Sequence, residues 1–373
     1  MADAVRLFLT AGEASGDHIG ADLVKALRAR GPLVLTGVGG TELRDAGLTS
    51  LYPMEDLAVM GFVDVIARLP LLLRRIRETV DAIVRDNPQV VVLIDSQVFS
   101  ATVARKARAR GYRGAILLYV APSVWAWKPE RAEALRGVFD EVLAVLPFEP
   151  NVMADLGGPP THYVGHPALA HVAQRHSLPE RGPLLLLPGS RGGELRRHLP
   201  LMADVARAFA THPKVTRLVL PTPHSQHHAV SAAIANWHVP IEVVSDAAVK
   251  ATAFSEAIAA AAVSGTVTLE LALAGIPTVV TYVADGRQHR NWIKAGQPRI
   301  ALPNIVAGRE VVPEATGTRR DAKWVIEHLH AVLDGPGVAQ AQFAEFRAMR
   351  AAMERGVEDA AERVLARVSG SPV

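Results

Sequence analysis

The sequence predicts an α/β protein made of two successive parallel sheets, each covered by helices on both faces. Three observations predict it. Short β-rich runs alternate with helical patterns along the chain, and strand-helix alternation requires crossover connections and therefore parallel strands. At 373 residues, 49% of them hydrophobic, the chain is long enough to bury two cores. A glycine- and proline-bearing stretch, Gly157-Gly158-Pro159-Pro160 and then Gly165-His166-Pro167, separates the strand runs into two sets.

In the first set, residues 5–9, 33–37, 90–94, 115–120 and 141–146 read as strands, with helices over 20–30 and 100–110. In the second set, 184–187, 217–220, 241–244, 259–263 and 278–282 read as strands, with helices over 199–212, 225–236 and 267–274. The alanine-rich tail over 340–368 is amphipathic and long enough for more than one helix. The division expected is therefore 1–164, 165–345 and a helical segment over 346–373.

Composition narrows the function. Cysteine is absent, so neither a disulfide framework nor a thiolate metal site is available, and a reducing compartment, the cytoplasm, is expected. An acid, Asp3, stands where a signal peptide carries basic residues. No run of roughly 20 apolar residues is free of charge or turn residues, so no spanning helix is expected. The net charge of +3 suits anionic ligands or an acidic membrane surface. Arginines are scattered, with no basic stripe interleaved by aromatics, which argues against a nucleic-acid partner.

Ligands of an open parallel sheet bind at the carboxyl ends of its strands, and four strand-to-helix loops are chemically loaded. "TAGEASGD" places Gly12, Glu13, Ser15, Gly16 and Asp17 before a helix whose first amides suit an anion or sugar hydroxyls; helix capping by Ser15 or Asp17 is the structural alternative. "VVVLIDSQVFS" brings Asp95 out of a run buried on both faces, as a general base or as a cap of the next helix. "LLLLPGSRGGE" gives Gly189 and Ser190 for close backbone approach and Arg191 for a bidentate phosphate contact, without a Walker or dinucleotide spacing. "AAVSGTVTLE" sets Ser264, Gly265 and Thr266 at a helix N-terminus suited to a diphosphate, and Glu270 one turn on to accept ribose hydroxyls.

The motifs "AGEASGD", "EDLAVMGFVDV", "APSVWAWKPER", "LAVLPFE", "YVGHP", "LLPGSRGGE", "SGTVTLELALAGIPTVVTY" and "LPNIVAGREVVPE" occur together and in order between Ala11 and Glu314. In this the chain resembles the lipid-A-disaccharide synthase family. The resemblance implies the GT-B architecture, two Rossmann-like domains facing across a cleft, and an inverting transfer. UDP-2,3-diacylglucosamine is joined to 2,3-diacylglucosamine 1-phosphate, giving the β-1,6 disaccharide 1-phosphate and UDP.

That reading places the acceptor on the N-terminal domain and UDP on the C-terminal one. Asp95 is the expected base, with Glu13 and Asp17 as the alternatives. Gly12, Ser15, Gly16, Met60, Trp125, His166, Asn304 and Arg309 are expected around the sugar substrates. Gly189, Ser190, Arg191, Ser264, Gly265, Thr266 and Glu270 are expected around the nucleotide. No cofactor and no metal are expected, since arginine and helix termini serve the diphosphate and no Asp-x-Asp pair is present. Residues 54–80, with Met60, Phe62, Leu69 and Leu73 beside Arg68, Arg74, Arg75 and Arg77, suit an acyl groove and peripheral contact with the cytoplasmic face of the inner membrane, or else a core helix with a basic end. A homodimer is compatible with this reading.

Two departures stand out. Where the family reads Ile-Asp-x-Pro-Asp-Phe-Asn, this chain has Ile94-Asp95-Ser96-Gln97-Val98-Phe99-Ser100, and Val283 replaces an arginine after the "VVTY" strand. Three other readings share the scaffold: a transferase for another lipid-linked acceptor, like the one that builds lipid II; a UDP-sugar epimerase; and a non-catalytic lipid- or nucleotide-binding relative.

Overall fold

The computed structural model describes residues 4–57 and 62–369, and of residues 62–67 and 369 the backbone alone. The chain divides into two compact units, one of Met1–Pro167 with Gly356–Val373 and one of Ala168–Arg355.

The first unit runs β1 (Val5–Ala11), α1 (Ala14–Arg28), β2 (Leu33–Val38), α2 (Thr41–Asp45), α3 (Phe62–Asp86), β3 (Val90–Ile94), α4 (Gln97–Ala109), β4 (Ala115–Tyr119), β5 (Glu141–Ala144), α5 (Glu149–Asp155) and β6 (Thr161–Tyr163). Its sheet is parallel, in the order β2-β1-β3-β4-β5-β6. All five residues of β3 are buried, as a strand covered on both faces must be. Gly20 lets α1 press onto the sheet, because a Cβ there would stand 3.1 Å from both Ile94 and Leu9 side-chain carbons.

The second unit runs α6 (Ala168–His171), β7 (Gly182–Leu187), α7 (Gly192–Phe209), β8 (Val215–Pro221), α8 (His227–Ile234), β9 (Ile241–Val244), α9 (Ala247–Glu256), β10 (Ala259–Val263), α10 (Thr266–Ala274), β11 (Thr278–Val283), α11 (Gly286–Lys294), α12 (Leu302–Ala307), β12 (Glu314–Gly317), α13 (Ala322–Asp334) and α14 (Val338–Met353). Its parallel sheet has the order β12-β11-β10-β7-β8-β9. The core is built on buried β7 and the alanine run of β10, with α7 and α13 packed against them.

The last helix, α15 (Ala360–Ser369), belongs to the first unit. Two arginines hold it there: Arg363 Nε and Arg367 Nε donate to the two carboxylate oxygens of Glu141, at 2.7 and 2.8 Å, and Glu141 is fully buried. Removing either side of such a pair would leave an uncompensated buried charge. The tail is therefore two helices serving different units, where the sequence suggested a separate segment over 346–373.

The edge strands β6 and β12 were not anticipated. Each is short and only partly buried, so neither shows an apolar run. Several helices begin earlier than the periodicity suggested: α1 at Ala14, α4 at Gln97 and α7 at Gly192. The first turns of α1 and α7 are glycine-rich or polar, and in α4 the apolar Val98 of the first turn is 83% exposed, so the buried period starts only one or two turns later. Among the described residues no helix is long and apolar enough to cross a membrane.

Candidate active site

Each sheet has one point where the strand order reverses, between β1 and β3 in the first and between β7 and β10 in the second. Crevices at the carboxyl ends of such strand pairs are where this class of sheet binds ligands. All four loaded loops of the sequence fall there: those after β1 and β3, and those after β7 and β10.

In the first unit, Asp95 and Ser96 follow β3 with φ of +49° and +42°. Two consecutive non-glycine residues in the left-handed region cost on the order of 1 kcal/mol each, and such strain gathers at functional sites. The surroundings impose it: Asp95 N donates to Tyr119 O at 2.9 Å, and the Ser100 hydroxyl donates to Asp95 O at 2.7 Å. The result is a sharp corner that holds half-buried Asp95 at the carboxyl edge. The N-cap of α4 is Ser96, whose side chain makes no capping bond. Gly12 lies against this corner, and a Cβ on it would stand 2.3 Å from Ser96 Oγ.

Glu13 is the N-cap of α1, extended and half-buried, with no capping bond from its side chain. Ser15 is exposed in the first turn, and Gly16 is buried, with its Cβ position 3.4 Å from Ile94 Cγ2. Asp17 departs from its expected place as an alternative base. It is 4% exposed, and its carboxylate accepts from Gly40 N at 2.6 Å, Glu42 N at 2.9 Å and Leu43 N at 3.3 Å. A carboxylate so engaged fastens the start of α2 to α1 and is structural.

Trp125 lies in the loop after β4, with Nε1 donating to Glu149 Oε1 at 3.3 Å and its ring edge-on to Phe148, centroids 5.6 Å apart. Arg131 holds the far end of that loop, donating to Trp127 O at 2.7 Å and to Gln97 Oε1 at 2.9 Å beside the Asp95 corner. Burial pushes Glu149 up to about 7, against three hydrogen bonds that favour its charged form. Neither Glu149 nor Arg131 was singled out from the sequence; their signals were the ends of the "LAVLPFE" and "APSVWAWKPER" motifs. His166 is half-buried in the stretch after β6. Met60 lies outside the described residues.

In the second unit, Gly189 has φ of +95°, and a Cβ on it would stand 2.6 Å from Glu194 Oε2. That carboxylate accepts from Ser190 N at 3.2 Å and Arg191 N at 3.3 Å, so it folds the loop over the start of α7 and takes two amides expected to face phosphate. Exposed Arg191 keeps a loose ion pair of 3.6 Å with Glu194. On the neighbouring strand, Gly265 and Thr266 are exposed at the N-terminus of α10, and no side chain caps it. The Ser264 hydroxyl is engaged below them, donating to Ile300 O at 2.6 Å. Glu270 is oriented by Lys250, whose Nζ donates to Oε2 at 2.9 Å.

Two expected substrate contacts have structural partners. Asn304 is fully buried: Oδ1 accepts from Val311 N at 2.7 Å and Val312 N at 2.9 Å, and Nδ2 donates to Val312 O at 2.9 Å and Glu314 Oε2 at 3.0 Å. Glu314 also accepts from Ala301 N at 2.7 Å, so Asn304 and Glu314 brace the segment that receives Ser264. Arg309 pairs with Glu345 of α14 at 2.5 Å on the surface. Where Val283 replaces an arginine, its N–H donates to His198 Nε2 at 2.8 Å and its carbonyl accepts from Arg197 Nε at 2.7 Å. His198 Nδ1–H then donates to Glu194 O at 2.8 Å, and burial lowers its pKa, so the ring is neutral.

His212, His330 and Asp334 bring polar atoms within 4.8 Å of one another. Lys214 N donates to His212 Nδ1 at 3.3 Å, which turns Nε2–H toward Asp334 at 3.1 Å. With the Lys214 ammonium 4.0 Å from Asp334 as well, this is a hydrogen-bonded cluster on the amino-terminal side of the sheet and a poor cation site.

Among solved structures, the glycotransferase of kitacinnamycin is similar over 98% of this chain and 99% of its own, with a TM-score of 0.63 at 16% identity. A putative UDP-N-acetylglucosamine 2-epimerase from Listeria monocytogenes is similar over 98% of this chain and 96% of its own, with a TM-score of 0.60 at 14% identity. Two parallel sheets with loaded switch points and this likeness define the class as the GT-B architecture. The family model described as lipid-A-disaccharide synthetase matches residues 7–368. The lipid-A-disaccharide synthase of Nitrobacter hamburgensis is 40% identical over 96% of this chain and 93% of its own length. That of Nitrobacter winogradskyi is 44% identical over 83% of this chain and 81% of its own. The chain belongs to the lipid-A-disaccharide synthase family.

Proposed function

We propose that this chain is a glycosyltransferase of lipid A biosynthesis, joining UDP-2,3-diacylglucosamine to 2,3-diacylglucosamine 1-phosphate. The family match supports the reaction, and the strained Asp95-Ser96 corner at the first switch point carries the mechanism. The acceptor's 6-hydroxyl attacks the anomeric carbon, its proton passes to the Asp95 carboxylate, and the C1–O bond electrons leave with UDP. Charge grows on the departing diphosphate. Arg191 and the uncapped N-terminus of α10 at Gly265 and Thr266 suit that charge. Glu270, oriented by Lys250, suits the ribose hydroxyls. The acceptor is assigned to the first unit, with Gly12, Glu13, Ser15 and Trp125 near its sugar.

Peripheral membrane contact belongs to the same reading. Leu69 and Leu73 of α3 are 45% and 54% exposed, which suits acyl chains or a bilayer surface. The arginines beside them are largely paired: Arg75 with Asp56 and Glu78, Arg74 with Glu78, and Arg77 with Asp81. Apolar contact therefore outweighs charge in this attachment, and flotation with anionic vesicles should persist at high salt. A homodimer is a further element of the proposal.

The test is UDP release measured with each diacyl substrate alone and then together. Release that needs both is expected. Turnover of a free UDP-sugar without acceptor would replace this reading with an epimerase, and UDP binding without turnover would replace it with a binding protein.

A further inference from the structure

Glu149 opens α5 at the carboxyl edge of the first sheet and is 3% exposed. Its Oε2 accepts from Val145 N at 3.2 Å and Leu146 N at 2.9 Å, which closes the turn between β5 and α5. Glu194 does the same after β7, where its Oε2 accepts from Ser190 N and Arg191 N while the side chain stays partly exposed and its Oε1 faces Arg191 at 3.6 Å. Glu149 is more deeply buried, and its other oxygen turns to a different segment. Its Oε1 accepts from Trp125 Nε1 at 3.3 Å, in the loop of the neighbouring strand, while Phe148 meets the same indole edge-on. Burying a carboxylate is costly, and closing the local turn does not require one. The indole contact is what sets Glu149 apart from Glu194.

We propose that Glu149 is a positioning residue that clamps the Trp125 loop in the form that receives the acyl-sugar acceptor, an inference that rests on assigning the acceptor to the first unit. Arg131 fastens the other end of the loop to Gln97 beside Asp95, so the clamp fixes the loop relative to the reacting corner. The clamp also responds to pH. Three N–H donors act on Glu149, and among the described residues no charged side chain contributes, so burial dominates and the carboxyl titrates at about 7. The added proton goes to Oε1, the oxygen with one partner, and makes it a weaker acceptor for the indole.

The full-length protein tests this through Glu149→Gln, Trp125→Phe and the double variant. In Glu149→Gln the amide oxygen satisfies the two backbone N–H groups, and the amide nitrogen then faces Trp125 donor to donor. Each single change should raise the acceptor KM about tenfold, in line with one hydrogen bond to a charged group, with kcat and UDP affinity within about threefold of the parent. The double variant should be no worse than either single one. The parent's acceptor KM should rise as pH falls through about 7, and this dependence should be absent in Glu149→Gln. Without any substrate, the emission attributable to Trp125 (parent minus Trp125→Phe) should titrate near the same pH. If Glu149→Gln fails to fold, Trp125→Phe decides through the pH profile: it removes the donor together with part of the ring, so its acceptor KM should be raised and should no longer depend on pH near 7. An unchanged acceptor KM in Trp125→Phe, or strictly additive effects, would overturn the proposal. A titrating emission in a protein that does not use the acceptor would uphold the clamp and overturn the assignment on which it rests.

Discussion

Gly12 and Ser96 meet across the β1–β3 switch point so closely that a Cβ on residue 12 would stand 2.3 Å from Ser96 Oγ and 3.3 Å from Ser96 Cβ. Residue 12 is glycine because the left-handed corner after β3 occupies the space a side chain would need. Gly12→Ala should push Ser96 and, through the shared backbone, Asp95, lowering kcat by about tenfold with UDP affinity unchanged. Adding Ser96→Ala should restore much of the rate, since the nearest remaining contact is then 3.3 Å. A double variant as slow as Gly12→Ala would show that the contact is not what sets the corner.

Asp95→Asn separates proton acceptance from geometry. Asparagine tolerates positive φ about as well as aspartate, so the corner at +49° should survive the change. If Asp95 is the base, kcat should fall ~10²–10⁴-fold while UDP affinity and Tm stay near the parent's. A rate within a few-fold of the parent would transfer the role to Glu13, since Asp17 is engaged with the amides of Gly40, Glu42 and Leu43.

Arg191→Ala should weaken UDP binding roughly tenfold, the loss of one charge-assisted contact, and lower kcat as well, because the leaving charge grows in the transition state. Glu270→Ala should act mainly on affinity. Calorimetric titration with UDP checks both, and unchanged affinity in the two variants would place the nucleotide elsewhere than the β7–β10 switch point.

Glu149 also predicts a pH dependence of stability. Its folded pKa of about 7 lies above the ordinary 4.5, so the folded state binds the proton more tightly than the unfolded one. Its contribution to stability is then complete below about 4.5 and is lost as pH rises through about 7. The difference in Tm between the parent and Glu149→Gln should change across that window and level off above it. A difference that is flat from pH 4.5 to 8 would mean that the carboxyl is not held neutral by burial.

Much of this was legible in the residues because it depends on neighbours in the chain. Strand-helix alternation follows from local apolar runs and turn chemistry, which act over a few residues whatever the rest of the molecule does. The ordered motifs from Ala11 to Glu314 carried the family by the same kind of local information. The short edge strands β6 and β12 were not legible, since a strand paired on one side needs no apolar run.

Side-chain roles were decided at long range. Asp17 and Asp95 are both acids at loaded turns, and nothing in their segments says that one is spent on the amides of residues 40–43 while the other is carried into a strained corner. Asn304 looks like a ligand contact until β12 folds beside α12 and brings Glu314 to it, and Glu194 takes amides that the loop sequence offers to phosphate. Glu149 acquires its function only when β4 and β5 pair and bring Trp125 to it. A hydrogen bond between segments far apart in the chain forms when the whole sheet closes, and local sequence has no way to register which donor will arrive.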